Sequence, residues 1–243
     1  MTRAVRISAE AFCQALRDEC QAEPPVIVEP EPVLPDDTDT GAAQRAAAAE
    51  YAQVGWLNRR GLIAGQVLDT LSVIAHPRTE YYGWFQYHAG THAVLVACGE
   101  NESALVYRDG GILTVDSLRP NESPTHALLR EFPDHPPAKL DAVNVRLADL
   151  DPDNAWSADV RARDDSRKLG FYAGQDTVGL GELWVAVRDR HRTRRVCPSP
   201  VRYRDTRSGR MLVSSADGYG SVAPAGKELL RARLEQAYRD LIG

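Results

Sequence analysis

Apolar residues recur along this chain with two different periods, and the change from one to the other divides it. Val5-Arg6-Ile7 alternates as a short strand does, and Phe12, Ala15 and Leu16 then share one helical face, predicting a helix from Ser8 to about Arg17. Ser8 suits the N-cap, where its hydroxyl accepts from a free backbone N–H, and Glu10 falls in the positive first turn. Residues 21–40 carry Pro24, Pro25, Pro30, Pro32 and Pro35, which forbid a helix. Val26-Ile27-Val28 reads there as an edge strand inside a loop expected to be largely exposed. An Ala-rich helix is expected from about Ala42 to Arg60, stopped by Gly61. A second runs from Gly65 to Ala75, with Val67, Leu68, Leu71 and Ile74 on one stripe, and ends before His76-Pro77.

From Glu80 the period becomes two. Residues 81–88, 92–98, 103–107 and 112–115 predict four strands. Ala89-Gly90-Thr91, Gly99-Glu100-Asn101 and Asp109-Gly110-Gly111 supply hairpin turns between them. A short helix follows with Pro124 at its first position, and Pro133, Pro136 and Pro137 break the chain. The order then recurs. Residues 143–147 form a strand, Asp151-Pro152 opens a helix to about Leu169, and residues 183–188, 196–203 and 210–214 form a second meander. A closing helix covers 225–241. Three echoes accompany the recurrence: Tyr107-Arg108-Asp109 with Tyr203-Arg204-Asp205, Trp84 with Trp184, and Ser117-Leu118-Arg119-Pro120 with Ser221-Val222-Ala223-Pro224. Strands that follow one another without an intervening helix are antiparallel. The expected fold is therefore α+β: an antiparallel β-sheet platform with flanking helices. It forms one domain over residues 1–243, with two pseudo-twofold-related halves of about 1–138 and 139–243.

Composition narrows the class. With 43% hydrophobic and 26% charged residues over 243 positions, collagen-like, coiled-coil and wholly disordered chains are excluded. The longest apolar run, residues 93–98, falls far short of the ~20 residues of a membrane span, and the N-terminus leads into an amphipathic segment unlike a signal peptide. Cys13, Cys20, Cys98 and Cys197 are scattered without a C-x-x-C, which argues against a zinc site and a disulfide framework. A cytoplasmic protein that contacts no membrane is expected. The net charge of −5 is unevenly spread: residues 21–40 carry only acidic charges, whereas Arg188, Arg190, Arg192, Arg194, Arg195, Arg202, Arg204, Arg207 and Arg210 make a basic stretch. That stretch supports an alternative reading, a module binding nucleic acid or an acidic partner. Against nucleic acid stand the negative total and the lack of any RNP, helix-turn-helix or zinc-finger pattern.

Catalytic and metal motifs fail on inspection. His88 and His92 have metal-like spacing but flank a hairpin turn, with no carboxylate or Cys beside them. Asp149-x-Asp151-x-Asp153-Asn154 lacks the Gly and the terminal Glu of a calcium loop. Gly179-x-Gly181 precedes a strand, where a dinucleotide fingerprint follows one. The expectation is no enzyme, no cofactor and no metal. Tyr81, Tyr82, Trp84, Phe85 and Tyr87 gather in one strand instead. Alternation places Tyr82, Trp84, Gln86 and His88 on one face, growing more polar toward the hairpin, as suits a face open to a partner.

Several segments carry a family resemblance. They are Leu68-Asp69-Thr70-Leu71-Ser72-Val73-Ile74-Ala75-His76-Pro77-Arg78, Ala93-Val94-Leu95-Val96-Ala97 and Asp205-Thr206-Arg207-Ser208-Gly209-Arg210-Met211-Leu212-Val213, the last followed by Ser221-Val222-Ala223-Pro224-Ala225-Gly226. In this layout the chain resembles the EspG family of ESX (type VII) secretion-associated chaperones of actinobacteria. The resemblance implies a non-catalytic cytoplasmic chaperone that holds the helical tip of a PE–PPE heterodimer or related type VII substrate, keeps it soluble and presents it for export. It also implies where the partner binds: on the face of Trp84, Gln86 and His88, with Gly90, Thr91 and His92 of the hairpin at the rim. Whether free chains pair as a homodimer stays open.

Overall fold

One antiparallel sheet of 11 strands carries the molecule, in a computed structural model that describes residues 4–30, 40–87, 90–150 and 160–243. The strands are β1 (Val5–Ser8), β2 (Thr79–Tyr87), β3 (Gly90–Cys98), β4 (Ser103–Asp109), β5 (Ile112–Ser117), β6 (Val143–Arg146), β7 (Thr177–Arg188), β8 (Arg194–Val196), β9 (Val201–Thr206), β10 (Gly209–Ala216) and β11 (Tyr219–Pro224). The helices are α1 (Ala9–Cys20), α2 (Thr40–Gln53), α3 (Gly65–Ala75), α4 (Pro124–Arg130), α5 (Val160–Ala173) and α6 (Lys227–Ile242).

Strand order across the sheet is β1-β5-β4-β3-β2-β7-β9-β10-β11-β6, with β8 added along the end of β7. Outward from the β2–β7 junction both sides read alike. A meander of four strands runs outward, and the strand that preceded the meander in sequence closes the edge. Trp84 and Trp184 lie on the two central strands, and Ser117 and Ser221 on the fourth strand of each side. Tyr107 lies on the third strand of its side and Tyr203 on the second of the other, so the Tyr-Arg-Asp echo is no structural equivalence.

Side chains alternate between two cores. On one face α1, α2 and α3 pack Phe12, Leu16, Leu71 and Ile74 onto Leu95, Val106 and Leu113. On the other, α4 and α6 pack Leu128, Leu230 and Leu234 onto Phe85, Val94, Leu183 and Val185. Tyr172 of α5 joins Met211 and Val222 in a third cluster. Met211 alternates with Leu212, which belongs to the α4–α6 core, so α5 shares the face of α1–α3. The helices of that face stand over the two ends of the sheet.

Four local expectations change. The segment 26–28 is no strand but a turn, closed by Val28 N–H donating to Pro25 O at 2.9 Å. Ile27 and Val28 are buried there, 2% and 1% exposed, so the prolines prevent strand pairing without preventing packing. Residues 31–39 of the acidic loop lie outside the described residues, as does the Asp151-Pro152 helix start. The Ala-rich helix ends at Gln53, not Arg60: Gly55 turns left-handed (φ 75°) and Trp56 N–H returns to Tyr51 O at 2.9 Å. In the second meander β7 begins earlier, at Thr177, and the expected strand 196–203 is split between β8 and β9. Residues 219–224, expected only as a lead into the last helix, form β11.

Candidate functional site

Among the described residues, no helix covers the central strands on the face held by α1–α3 at one end and α5 at the other. Register fixes what lies there. Trp84 pairs with Ala93 of β3 and Glu182 of β7, Gln86 with Thr91 and Leu180, and Tyr82 with Trp184. Because paired residues in a sheet share a face, these form one continuous floor. Trp84 and Trp184 are half-buried, and Leu180 is 44% exposed. A groove of about 550 Å³ runs across this floor. Pro24, Pro25 and Ile27 and the end of α3 (Ile74, Ala75) form one wall, and Arg188, Arg194 and Val196 line another part.

Local sequence accounts for the floor. The aromatic run of β2 alternates, sending Tyr82 and Trp84 to this face and Tyr81 and Phe85 to the other. Trp84 stands edge-on to Tyr82, with ring centroids 5.9 Å apart at 83°. Glu80, two residues before Tyr82, is a carboxylate only 5% exposed. Two guanidinium groups hold it. Arg194 Nη2 reaches Oε2 at 2.8 Å and its Nε lies 3.2 Å from both oxygens, while Arg188 Nη1 donates to Oε1. Arg194 also lies over the Tyr82 ring, 5.4 Å from its centroid. Its hydrogen bonds to Glu80 outweigh the opposing effect of burial and raise its pKa above the ordinary arginine value.

The expected partner-binding residues divide. Trp84, Gln86 and Thr91 share the groove face, the last two exposed, and Gly90 is half-buried at the start of β3. His92 points to the opposite face, away from the groove. Its ring stacks on Phe85 at 5.2 Å, and its Nδ1 lies 2.9 Å from the Tyr107 hydroxyl and 3.4 Å from Asp109 Oδ1. His88 lies outside the described residues. The sequence reading missed Trp184, Leu180, Glu182 and the Pro24–Ile27 wall. Trp184 was visible only as an echo of Trp84, and Gly179 and Gly181 dilute the alternation that marks Leu180 and Glu182.

The basic stretch forms no single cationic surface. Arg188 and Arg194 hold Glu80, Arg195 donates to Leu241 O, and Arg202 meets Glu182 at 3.1 Å. Arg204 donates to Ala173 O at 2.8 Å, and Arg210 is buried against Asp205. Among the described residues no group of three or more His, Cys, Asp or Glu is placed to hold a metal ion, and no helix is long and apolar enough to cross a membrane.

A sequence model of the EspG family matches residues 8–236. No curated protein matches the chain. Among 14 solved chains that do match is one in the structure of the Mycobacterium tuberculosis type VII secretion system chaperone EspG5 in complex with the PE25-PPE41 dimer. The two are 16% identical and superpose with a TM-score of 0.67, over 97% of this chain and 96% of that one. At that identity the likeness shows a common fold.

Proposed function

This chain belongs to the EspG family, and from that premise we propose that it is a cytoplasmic, non-catalytic chaperone of a type VII (ESX) secretion system. Its client is the helical tip of a PE–PPE-type substrate, which it keeps soluble and delivers for export. It acts as one domain whose two halves meet at the β2–β7 junction. The observation that carries this reading is an aromatic floor that no helix among the described residues covers. Trp84 and Trp184 lie half-buried on one face of the two central strands, and Leu180 of the same face is exposed. An apolar floor bordered by Gln86, Thr91 and Glu182 has the composition of a partner site, aromatic at the centre and polar at the rim. The EspG5 structure, of the same fold, holds a PE25-PPE41 dimer. The basic stretch supports no second reading, since most of its arginines are engaged within the protein.

Co-expression with PE–PPE pairs from the same genome tests the proposal. One pair should co-elute with the chain in size-exclusion chromatography and lose solubility without it. Trp84→Ala should weaken that complex by about 2 kcal/mol or more, with a small effect on the unfolding midpoint. A well-folded chain that leaves every such pair uncomplexed would refute it.

A further inference from the structure

The groove is not electrically uniform. Its cationic end is built from Arg188 and Arg194, and neither side chain is free to swing. Both are tied to Glu80, a carboxylate 5% exposed at the edge of the groove, and Arg188 Nη1 also donates to Pro77 O at 3.1 Å. A guanidinium has five N–H donors in a fixed fork. The hydrogen bonds to Glu80 and Pro77 use Nη1 of Arg188 and Nε and Nη2 of Arg194. Donors remain on both groups, whose side chains are 26% and 37% exposed and line the groove beside Tyr82 and Trp184.

Resting on the chaperone reading above, we infer that Arg188 and Arg194 form a fixed donor corner that receives the C-terminal end of a client helix. The last four carbonyls of a helix have no partner within it, and they carry the negative end of its dipole. A helical tip brought onto an apolar floor must satisfy those carbonyls or bury them unpaired. Rigid guanidinium donors do so without ordering a flexible side chain at the moment of binding. Glu182 lies six residues before Arg188 on β7, on the order of 20 Å away at the usual strand rise. Glu182 is itself paired with Arg202 at 3.1 Å, so the spare donors of Arg188 and Arg194 at one end of the groove set which way round a client helix enters.

The test uses the full chain and a fluorescent, Ala/Leu-rich helical peptide of roughly 18 residues, made with either a free C-terminal carboxylate or a C-terminal amide. The added charge sits at the end the corner should receive. Wild-type protein should prefer the carboxylate form by about five- to tenfold in anisotropy titrations. Arg194→Lys keeps a cation against Glu80 but removes the fork, and should cut that preference to about twofold or less, with unchanged circular dichroism. Trp84→Ala should weaken both forms alike. Equal wild-type affinity for the two peptides overturns the inference, as does full preference retained in Arg194→Lys. The wild-type comparison decides by itself should the variant misfold. Failure of wild-type protein to bind either peptide also overturns it, while the chaperone reading is judged separately by co-elution with a PE–PPE pair.

Discussion

Arg210 and Asp205 meet inside the protein through two parallel hydrogen bonds, Nε to Oδ1 at 2.7 Å and Nη2 to Oδ2 at 2.8 Å, with both side chains sealed from solvent. The guanidinium lies 4.3 Å from the centroid of the Tyr203 ring, and its Nη2 also donates to Pro133 O at 2.9 Å. The Arg210 backbone N–H donates to Pro136 O at 2.7 Å, so this pair fastens the segment between α4 and β6 to the β9–β10 hairpin. Its Nη1 is buried without a partner among the described residues. Arg210→Ala leaves Asp205 as an uncompensated buried charge and should cost about 3–5 kcal/mol in urea unfolding. Asp205→Asn together with Arg210→Met should restore much of that loss, because no buried charge then remains.

A second anchor joins α2 to α1. The backbone N–H of Ser8 donates to Glu50 Oε1 at 2.5 Å and its hydroxyl donates to Oε2 at 2.6 Å, while the same hydroxyl accepts from Ala11 N–H at 3.2 Å. Ser8→Ala should lower stability by about 1 kcal/mol. Glu50→Ala should cost a similar amount. Measured in a double-mutant cycle, the pair should couple by at least about 0.5 kcal/mol; strictly additive losses would show that the two caps act independently.

Gly181 faces the Tyr203 ring directly across the β7–β9 pair. A methyl group there would fall inside the van der Waals surface of that ring. Gly181→Ala should therefore destabilise the fold by about 1–3 kcal/mol. Adding Tyr203→Leu to Gly181→Ala should raise the thermal midpoint relative to Gly181→Ala alone, and a further fall would exclude the ring as the cause.

Alkaline pH should weaken the protein. Burial pushes the Cys13 thiol from 9.0 up to about 11, and it raises the Tyr51, Tyr81 and Tyr203 phenols above their ordinary value. The folded chain therefore holds these protons more tightly than the unfolded one. The stability linked to Cys13 is fully present below its unfolded pKa and declines as pH rises through the folded value. The unfolding midpoint should fall between about pH 9 and pH 11, and Cys13 should resist iodoacetamide in the native state near neutrality. A midpoint that stays level across that range would contradict the assignment.

What the sequence made legible follows from how locally each signal is written. Helix α3 was expected over its observed span, because its apolar stripe, its length and Pro77 all agree. The Ser8 cap and the hairpins of the first meander were equally local. Misreadings arose where one local signal was overruled by its surroundings. Val26-Ile27-Val28 has strand-like composition, but Pro25 and Pro30 bracket it and the core takes Ile27 and Val28 as a plug. The expected helix runs past Gln53 because no proline interrupts residues 42–60, yet Trp56 folds back to stack on Tyr51 at 5.8 Å. In the candidate site Trp84 and Gln86 were placed by alternation alone. Their partners on β7 could not be, since pairing across the β2–β7 junction is a long-range relation that no local period records.

That junction orders events in time. Residues of β2 and β7 that pair lie roughly a hundred positions apart in the chain, whereas hairpins such as β4–β5 close over a few residues. Local hairpins form early and distant pairings late. During synthesis Trp84 emerges long before Trp184 exists, and the Arg188–Arg194 corner arrives later still. A nascent first half therefore holds only part of the groove. The groove is complete only once the β2–β7 pairing closes, so finishing the fold and finishing the groove are one event.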